Sequence, residues 1–377
     1  MKYSSLFYMA LCLAASLLIA CGGSGQAGRM GDLAEFAYND SIANGDAVEI
    51  PKSDFAEKEI LSIEHLTPDI VTGNNEIKIL SKNGYIIIKT LLKVQGEYLV
   101  TILDEKTLKE VKKLAPFGGG PGEFMDVRVI ESHNPGIIAY LIDPKDEAQR
   151  KVWTLGNDLT LTEKYRFDFS RYKQRFWFGV ENPQHIGGDS FLLERYASNG
   201  KGLHVYNAGD STLTNILSMS FSDDFDSWWL CYLGGIAYNP GHKRIAYAFQ
   251  YYDRIVFADI DGKNLRIVQP GEPERIKAKT RSDMFEKGDH TAYYGEVMSD
   301  DDYFYALYRG HTIYDPANED NLSYYIEQFD MEGKPVARYK LPAGKVFRIG
   351  CVSSNEKGVL YLVNVSEDDF LYKVRLF

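Results

Sequence analysis

A polar reversal recurs along this chain at a spacing near fifty residues. Asp104, Asn157, Asn207, Asp259 and Asp330 lie 53, 50, 52 and 71 residues apart. Each stands between two apolar runs rich in Ile, Val, Tyr and Phe, as in YLVTILDEKTLKEVKKL (98–114), GLHVYNAGDSTLTNILSM (202–219) and DRIVFADIDGKNLRIV (253–268). Asp, Asn and Gly at such points let two antiparallel strands reverse. A further apolar run precedes each hairpin: GYIIIKTLLK, PGIIAYLID, GGDSFLLERYA, KRIAYAFQ and DDYFYALYRG. Short runs at period two, with little helical spacing outside 54–61 and 275–285, read as all-β. About four strands per fifty-residue unit is the size of a propeller blade.

Five complete units account for most of the chain. A sixth, KGVLYLVNVSEDDFLYKVRLF (357–377), is short of a full set of strands. EILSIEHLTPDIV (59–71) reads as a strand segment ahead of the first unit, and pairing it into the last blade closes the ring and hides its edge. The expected fold is therefore a six-bladed β-propeller over 57–377, four antiparallel strands per blade, closed by an N-terminal strand.

The N-terminus carries an address. Lys2 precedes the apolar run LFYMALCLAASLLIA (6–20), which has the length and flanks of a signal peptide. It ends Leu18-Ile19-Ala20-Cys21, which resembles the lipobox of bacterial lipoproteins. The resemblance implies cleavage before Cys21, acylation of that cysteine and attachment to a membrane, where each buried methylene contributes about 0.8 kcal/mol. Residue 22 is Gly, not the Asp of inner-membrane retention, so the expected site is the outer membrane, on its periplasmic side. The segment 21–56, opening GGSGQAGRMGD after the cysteine, reads as a flexible tether. Loss of Lys2 with the signal leaves 41 basic against 53 acidic residues, a net charge of −12. That balance argues against nucleic acid as a partner. Cys231 and Cys351 remain as either a disulfide or two thiols.

FGGGPGEF (117–124) decides whether this is a nucleotide protein. A phosphate loop needs Lys-Ser or Lys-Thr after its glycines and a following helix. Glu123, Phe124 and a β-rich VRVI follow instead. Gly118, Gly120, Pro121, Gly122, Glu123 and Phe124 are thus expected to form a tight joint between blades, with Phe124 as a buried wedge and Glu123 bonding loop amides. This element resembles the opening of NHL-repeat blades. With the lipobox and YFYALYRG (303–310), the chain resembles the TolB-like six-bladed propeller lipoproteins of Gram-negative bacteria over most of 57–377. That resemblance implies a fold and an address, and no reaction.

Catalytic patterns are sparse. The seven histidines form neither H-x-H nor H-E-x-x-H, the spacings that place two ligands on one element. No G-x-S-x-G occurs, and Gly188-Asp189-Ser190 reads as a turn. The acidic runs at 223–226, 300–302 and 367–369 read as solvated loops. No metal or cofactor is expected. Two aromatic clusters, Arg175 and Trp177 in YKQRFWF (172–178) and Trp228, Trp229 and Tyr232 in FDSWWLCY (225–232), read either as hydrophobic wedges between blades or, because they combine stacking rings with polar groups, as the candidate ligand-binding residues. An insertion near 270–292 is a candidate cap. The leading expectation is a membrane-anchored binding module for a peptide, glycan or envelope protein. The alternative is a propeller hydrolase or lyase with its site at the mouth of the central channel.

Overall fold

Both faces of a propeller blade are covered by neighbouring blades, so its middle strands should be apolar throughout. The strands Tyr85–Lys89 and Val359–Asn364 are buried at almost every position. Only the outermost strand alternates, as in Leu161–Asp168. The computed structural model describes residues 48–68, 77–90, 94–144, 149–169, 182–197, 200–219, 232–251, 254–269, 291–312, 324–365 and 370–377. They form six antiparallel blades of four strands each.

Counted from the axis outwards, blade 1 comprises Lys78–Lys82, Tyr85–Lys89, Tyr98–Asp104 and Glu110–Pro116, and blade 2 Arg128–Glu131, Ile137–Ile142, Gln149–Gly156 and Leu161–Asp168. Blade 3 comprises Gln184–Gly187, Ser190–Ala197, Gly200–Asn207 and Thr212–Met219, and blade 4 Gly234–Asn239, Arg244–Phe249, Ile255–Asp259 and Arg266–Gln269. Blade 5 comprises Thr291–Ser299, Phe304–Thr312, Tyr325–Phe329 and Pro335–Lys340. Blade 6 takes Phe347–Val352, Val359–Asn364 and Leu371–Arg375 from the C-terminus, and its outer strand, Ser62–Leu66, from the N-terminal side. Ile63 pairs with Val374 and Leu66 with Leu371, so the ring closes through the strand that the sequence left over.

The recurring reversals connect the third strand of a blade to the fourth. Asp104 accepts the backbone N–H groups of Lys106 and Thr107, Asn207 that of Gly209, and Asp330 those of Glu332 and Lys334. In blade 2 the neighbouring Asp158 does this for Thr160, while Asn157 accepts from Asn83 of blade 1. The core is six wedges, one between each pair of blades. Tyr140 and Phe191 meet between blades 2 and 3, and Leu203 and Ile245 between blades 3 and 4.

Strand pairing is found N-terminal to the expected boundary at 56/57. Val48–Glu49 pairs in parallel with Val268 and Gln269 as a fifth strand of blade 4. Ala56–Lys58 pairs in parallel with 337–339 as a fifth strand of blade 5. Ile50 and Phe55 are buried in the wedge between those blades, and the Phe55 ring meets Phe329 edge-on at 5.3 Å. The helical spacing of 54–61 is overridden: a single 3-10 turn, Lys52–Asp54, leads directly into strand. The unpaired outer edge of blade 5 offers backbone hydrogen bonds that a short isolated helix cannot match.

The joint after blade 1 folds onto itself. Phe124 N–H donates to Pro116 O and Gly118 N–H to Phe124 O. The Glu123 carboxylate accepts Gly120 N–H at 2.7 Å. A Cβ at Gly118 would stand 2.1 Å from Glu123 Oε2, so only glycine leaves room for the carboxylate there. Phe124 is buried against Trp153, their rings 5.7 Å apart.

Candidate functional site: the axial cavity

The first strands of the six blades surround the axis, and a cavity of about 640 Å³ lies between them. Its lining runs from Ile77, ahead of the first inner strand, to turn residues Asp300, Asn355 and Lys357, where first strands pass into second strands. At this mouth each blade is stitched to the next. Asn134 Nδ2 donates to Gly188 O at 2.8 Å and Gly188 N–H returns a bond to Asn134 Oδ1 at 2.9 Å. Asn239 Nδ2 donates to Asp300 O at 2.6 Å. Lys357 pairs with Asp302, and Ser354 N–H donates to Ser81 Oγ at 3.0 Å.

The seam between blades 6 and 1 is the most polar. Glu105, only 7% exposed, accepts from Ser81 Oγ, Ser353 Oγ, Asn355 Nδ2 and Tyr361 OH. Four donors replace the water that this carboxylate loses on burial. Burial beside Glu105 pushes the Tyr361 hydroxyl pKa up.

Blades 2 and 3 meet through a histidine. His185 Nδ1 accepts His133 N–H at 2.9 Å, and its Nε2 lies 3.1 Å from Gly188 O, so Nε2 carries the proton. Burial lowers the His185 pKa to about 4 and keeps the ring neutral. The His133 ring lines the cavity, stacked at 5.8 Å on His185 and tilted at 5.7 Å to Tyr238. Its own pKa is lowered by burial against the pull of Glu131.

The cavity wall is charged and balanced. Lys78, Lys82, Lys89, Arg128 and Lys357 face it, and so do Glu131, Glu296, Asp300, Asp301 and Glu356. Lys82 of blade 1 pairs with Glu131 of blade 2 at 2.7 Å. Lys78 of blade 1 pairs with Glu296 of blade 5 at 3.0 Å. Blade 6 separates those two blades in the ring, so this second pair crosses the channel. Asp300 is committed to its own turn, accepting Asp302 N–H, Tyr303 N–H and Tyr305 OH. Among the described residues no group of three His, Cys, Asp or Glu side chains is placed to hold a metal ion.

The six inner strands do not approach equally. A Cβ at Gly235 of blade 4 would stand 2.7 Å from Gly295 O of blade 5, and one at Gly295 would stand 3.1 Å from Arg348 O of blade 6. Backbone meets backbone on that side. The ion pairs of blade 1 and the His133–Tyr238 stack lie around the rest of the ring.

Of the candidate ligand residues, Tyr232 is 1% exposed and packs in the wedge between blades 3 and 4. Its carbonyl accepts from Lys201 Nζ at 3.0 Å and from Tyr247 OH. Lys201 in turn pairs with Glu194 at 2.8 Å, both side chains essentially inaccessible. Burial raises the Glu194 pKa while the Lys201 ammonium pulls it back. Arg175, Trp177, Trp228 and Trp229 lie outside the described residues, as do Cys21, the apolar run before it, Cys231 and the insertion at 270–290. Cys351 faces the cavity as a half-buried thiol. Among the described residues no helix is long and apolar enough to cross a membrane. Lys78, Glu296, Glu131 and His133 were missed in the sequence because their partners in space are 49 to 218 positions away, and each taken alone is an ordinary polar residue in a strand or turn.

No family model matches the chain. No curated protein matches it. Solved structures do. A member of the DUF4221 family from Bacteroides vulgatus superposes with a TM-score of 0.60 at 12% identity, over 85% of this chain and 96% of that one. A protein from Bacteroides fragilis described as exported superposes with a TM-score of 0.51 at 13% identity, over 86% of this chain and 99% of that one. At such identities the likeness is one of fold.

Proposed function

We propose that this chain is a ligand-binding propeller of the cell envelope, anchored through an acylated Cys21, with its binding site in the axial cavity. The observation that carries the reading is a cavity of about 640 Å³ whose wall is supplied by all six blades. That volume lies within the usual range of small-molecule sites, roughly 300–1,000 Å³. Five of its charges, Lys78, Lys82, Arg128, Glu131 and Glu296, sit on inner strands, where neighbouring strands hold them in place before any ligand arrives. The signal-like run and lipobox at 6–21 support export and anchoring. Native mass spectrometry of the protein incubated with a small-molecule envelope extract is expected to find one ligand per chain. Lys82→Trp, which fills the cavity from its wall, is expected to abolish it. Equal capture by that variant would overturn the cavity as the site. Labelling with a fatty-acid analogue, lost in Cys21→Ser, tests the anchor.

One observation favours an enzyme as the second reading. Lys78, Glu131, His133 and Glu296 converge on one cavity from three blades, the arrangement expected of a channel-mouth hydrolase or lyase. His133 stays neutral near pH 7 because burial lowers its pKa, which suits a general base. Turnover of any ester or glycoside probe that is lost in His133→Asn would favour this reading.

A further inference from the structure

The Lys78–Glu296 pair invites a functional explanation. It joins blades that are not neighbours, across the channel, while every adjacent pair of blades has stitches of its own. It is partly buried, with side-chain exposures of 33% and 14%. Withdrawing two charges from water costs about as much as their attraction returns, so such a pair is a poor device for stability alone. Lys82–Glu131, between the adjacent blades 1 and 2, adds a second pair four residues along the same strand, about 13 Å away at ~3.3 Å of rise per residue. The cavity therefore holds two ammonium–carboxylate pairs at separate depths, within a wall of five cations and five carboxylates.

This wall selects by charge arrangement. A polyanion or polycation finds no net field to draw it in. A singly charged ligand that takes Lys78 from its pair leaves Glu296, 14% exposed, without its counter-charge, a costly outcome for a carboxylate so far withdrawn from water. A neutral sugar must displace water from the exposed charges of the wall with hydroxyls alone. A molecule that carries both an ammonium and a carboxylate exchanges charge for charge and leaves nothing uncompensated. The distance between the pairs matches an extended segment of about four residues at ~3.3–3.6 Å each.

Resting on the reading of the cavity as a binding site, we propose that its ligand is a zwitterionic short peptide with free ends. Its carboxylate is held by the lysine of one pair, Lys78 or Lys82, and its ammonium by the carboxylate of the other, Glu131 or Glu296.

Thermal-shift and calorimetric titration with trialanine and tetra-alanine test this. Their N-acetylated and C-amidated forms, and maltotriose, serve as comparisons. The free peptides are expected to bind at micromolar to millimolar concentration, and blocking either end to weaken binding at least about tenfold, the equivalent of ~1.4 kcal/mol. Lys78→Met with Glu296→Met, and separately Lys82→Met with Glu131→Met, should each remove the preference for free ends while keeping the β-sheet circular dichroism spectrum. Two independent pairs guard against one variant failing to fold. Blocked peptides that bind as well as free ones overturn the proposal, as does the absence of any peptide binding. Maltotriose binding that Lys82→Trp abolishes would leave the cavity as a binding site and remove only the peptide. Failure of every probe and of the extract experiment together would remove both.

Discussion

Blades 4, 5 and 6 meet at the axis through backbone, whereas blades 1, 2 and 3 meet it through side chains. On the first side, glycines at 235 and 295 bring inner strands into contact at the carbonyl level. The same three blades are also bound at the rim, where 48–49 and 56–58 add fifth strands to blades 4 and 5 and 62–66 completes blade 6. On the second side, Lys82–Glu131 and His133 line the cavity, His133 stacking on the buried His185 of blade 3 and meeting Tyr238 of blade 4, and Glu194–Lys201 is buried between strands of blade 3. Close backbone packing and the N-terminal strap tie blades 4, 5 and 6 together; blades 1 and 2 supply four of the cavity's five cations, and blades 5 and 6 supply four of its five carboxylates, Glu296, Asp300, Asp301 and Glu356.

The largest effect should come from the buried ion pair of blade 3. Glu194→Ala removes the carboxylate 2.8 Å from the buried Lys201 ammonium, and removing one partner of a buried pair costs about 3–5 kcal/mol. Replacing both by methionine should recover most of that loss, because the pair's own attraction is offset by desolvation. Urea denaturation of the three proteins measures this. Equal losses for single and double variants would show that the site needs its polar contacts rather than its charge balance.

Next comes acid sensitivity, which this comparison assigns to blades 2 and 3. His185 titrates near 6.5 when exposed and at about 4 in the fold, so the unfolded chain binds the proton first as the pH falls. Its contribution to stability is intact above pH 6.5 and is lost progressively towards pH 4. The loss at its limit is about 3 kcal/mol, at ~1.4 kcal/mol per pKa unit. His204 of blade 3, lowered to about 3 by burial and Arg195, acts in the same direction. His185→Gln keeps an acceptor for His133 N–H and a donor for Gly188 O but cannot titrate. Melting temperatures from pH 7.5 to 4.5 should fall less steeply in that variant, and an unchanged slope would place the acid sensitivity elsewhere.

The half joined through backbone should resist acid and fail on volume. Gly235→Ala pushes a methyl to 2.7 Å from Gly295 O and 2.9 Å from Val297 N, both backbone atoms with little freedom to move. Overpacking of this kind costs roughly 1–3 kcal/mol. A loss below ~0.5 kcal/mol would mean that blades 4 and 5 can slide apart, and the contrast between the halves would fade.

Much of this molecule was legible because its information is local. The reversals at Asp104, Asn207 and Asp330 are side chains bonding backbone two to four residues on, and such chemistry repeats wherever the blade does. The closing strand 62–66 was legible by count, since a five-and-three-quarter ring leaves an edge. The fifth strands were not, because Ala56–Lys58 is exposed along its length and carries no apolar pattern. In sequence, Tyr232 is undecided between wedge and ligand surface, since an aromatic beside tryptophans looks the same in either; it packs in the wedge. The cavity was hidden most deeply, since Lys78 and Glu296 are 218 residues apart.

The smallest effect is the most informative about what the cavity is for. Lys82→Met removes one member of a pair whose side chains are 25% and 42% exposed, and the Glu131 it leaves behind stays in contact with water. Partly exposed pairs contribute about 0–1 kcal/mol, so stability should barely move. If the charges around the cavity serve the fold, the loss will approach that of Glu194→Ala. If they serve a ligand, Lys82→Met will unfold at nearly the same urea concentration as the parent protein and bind less. A charge that the fold can spare, held on an inner strand and turned towards a cavity, is then best explained by what enters that cavity.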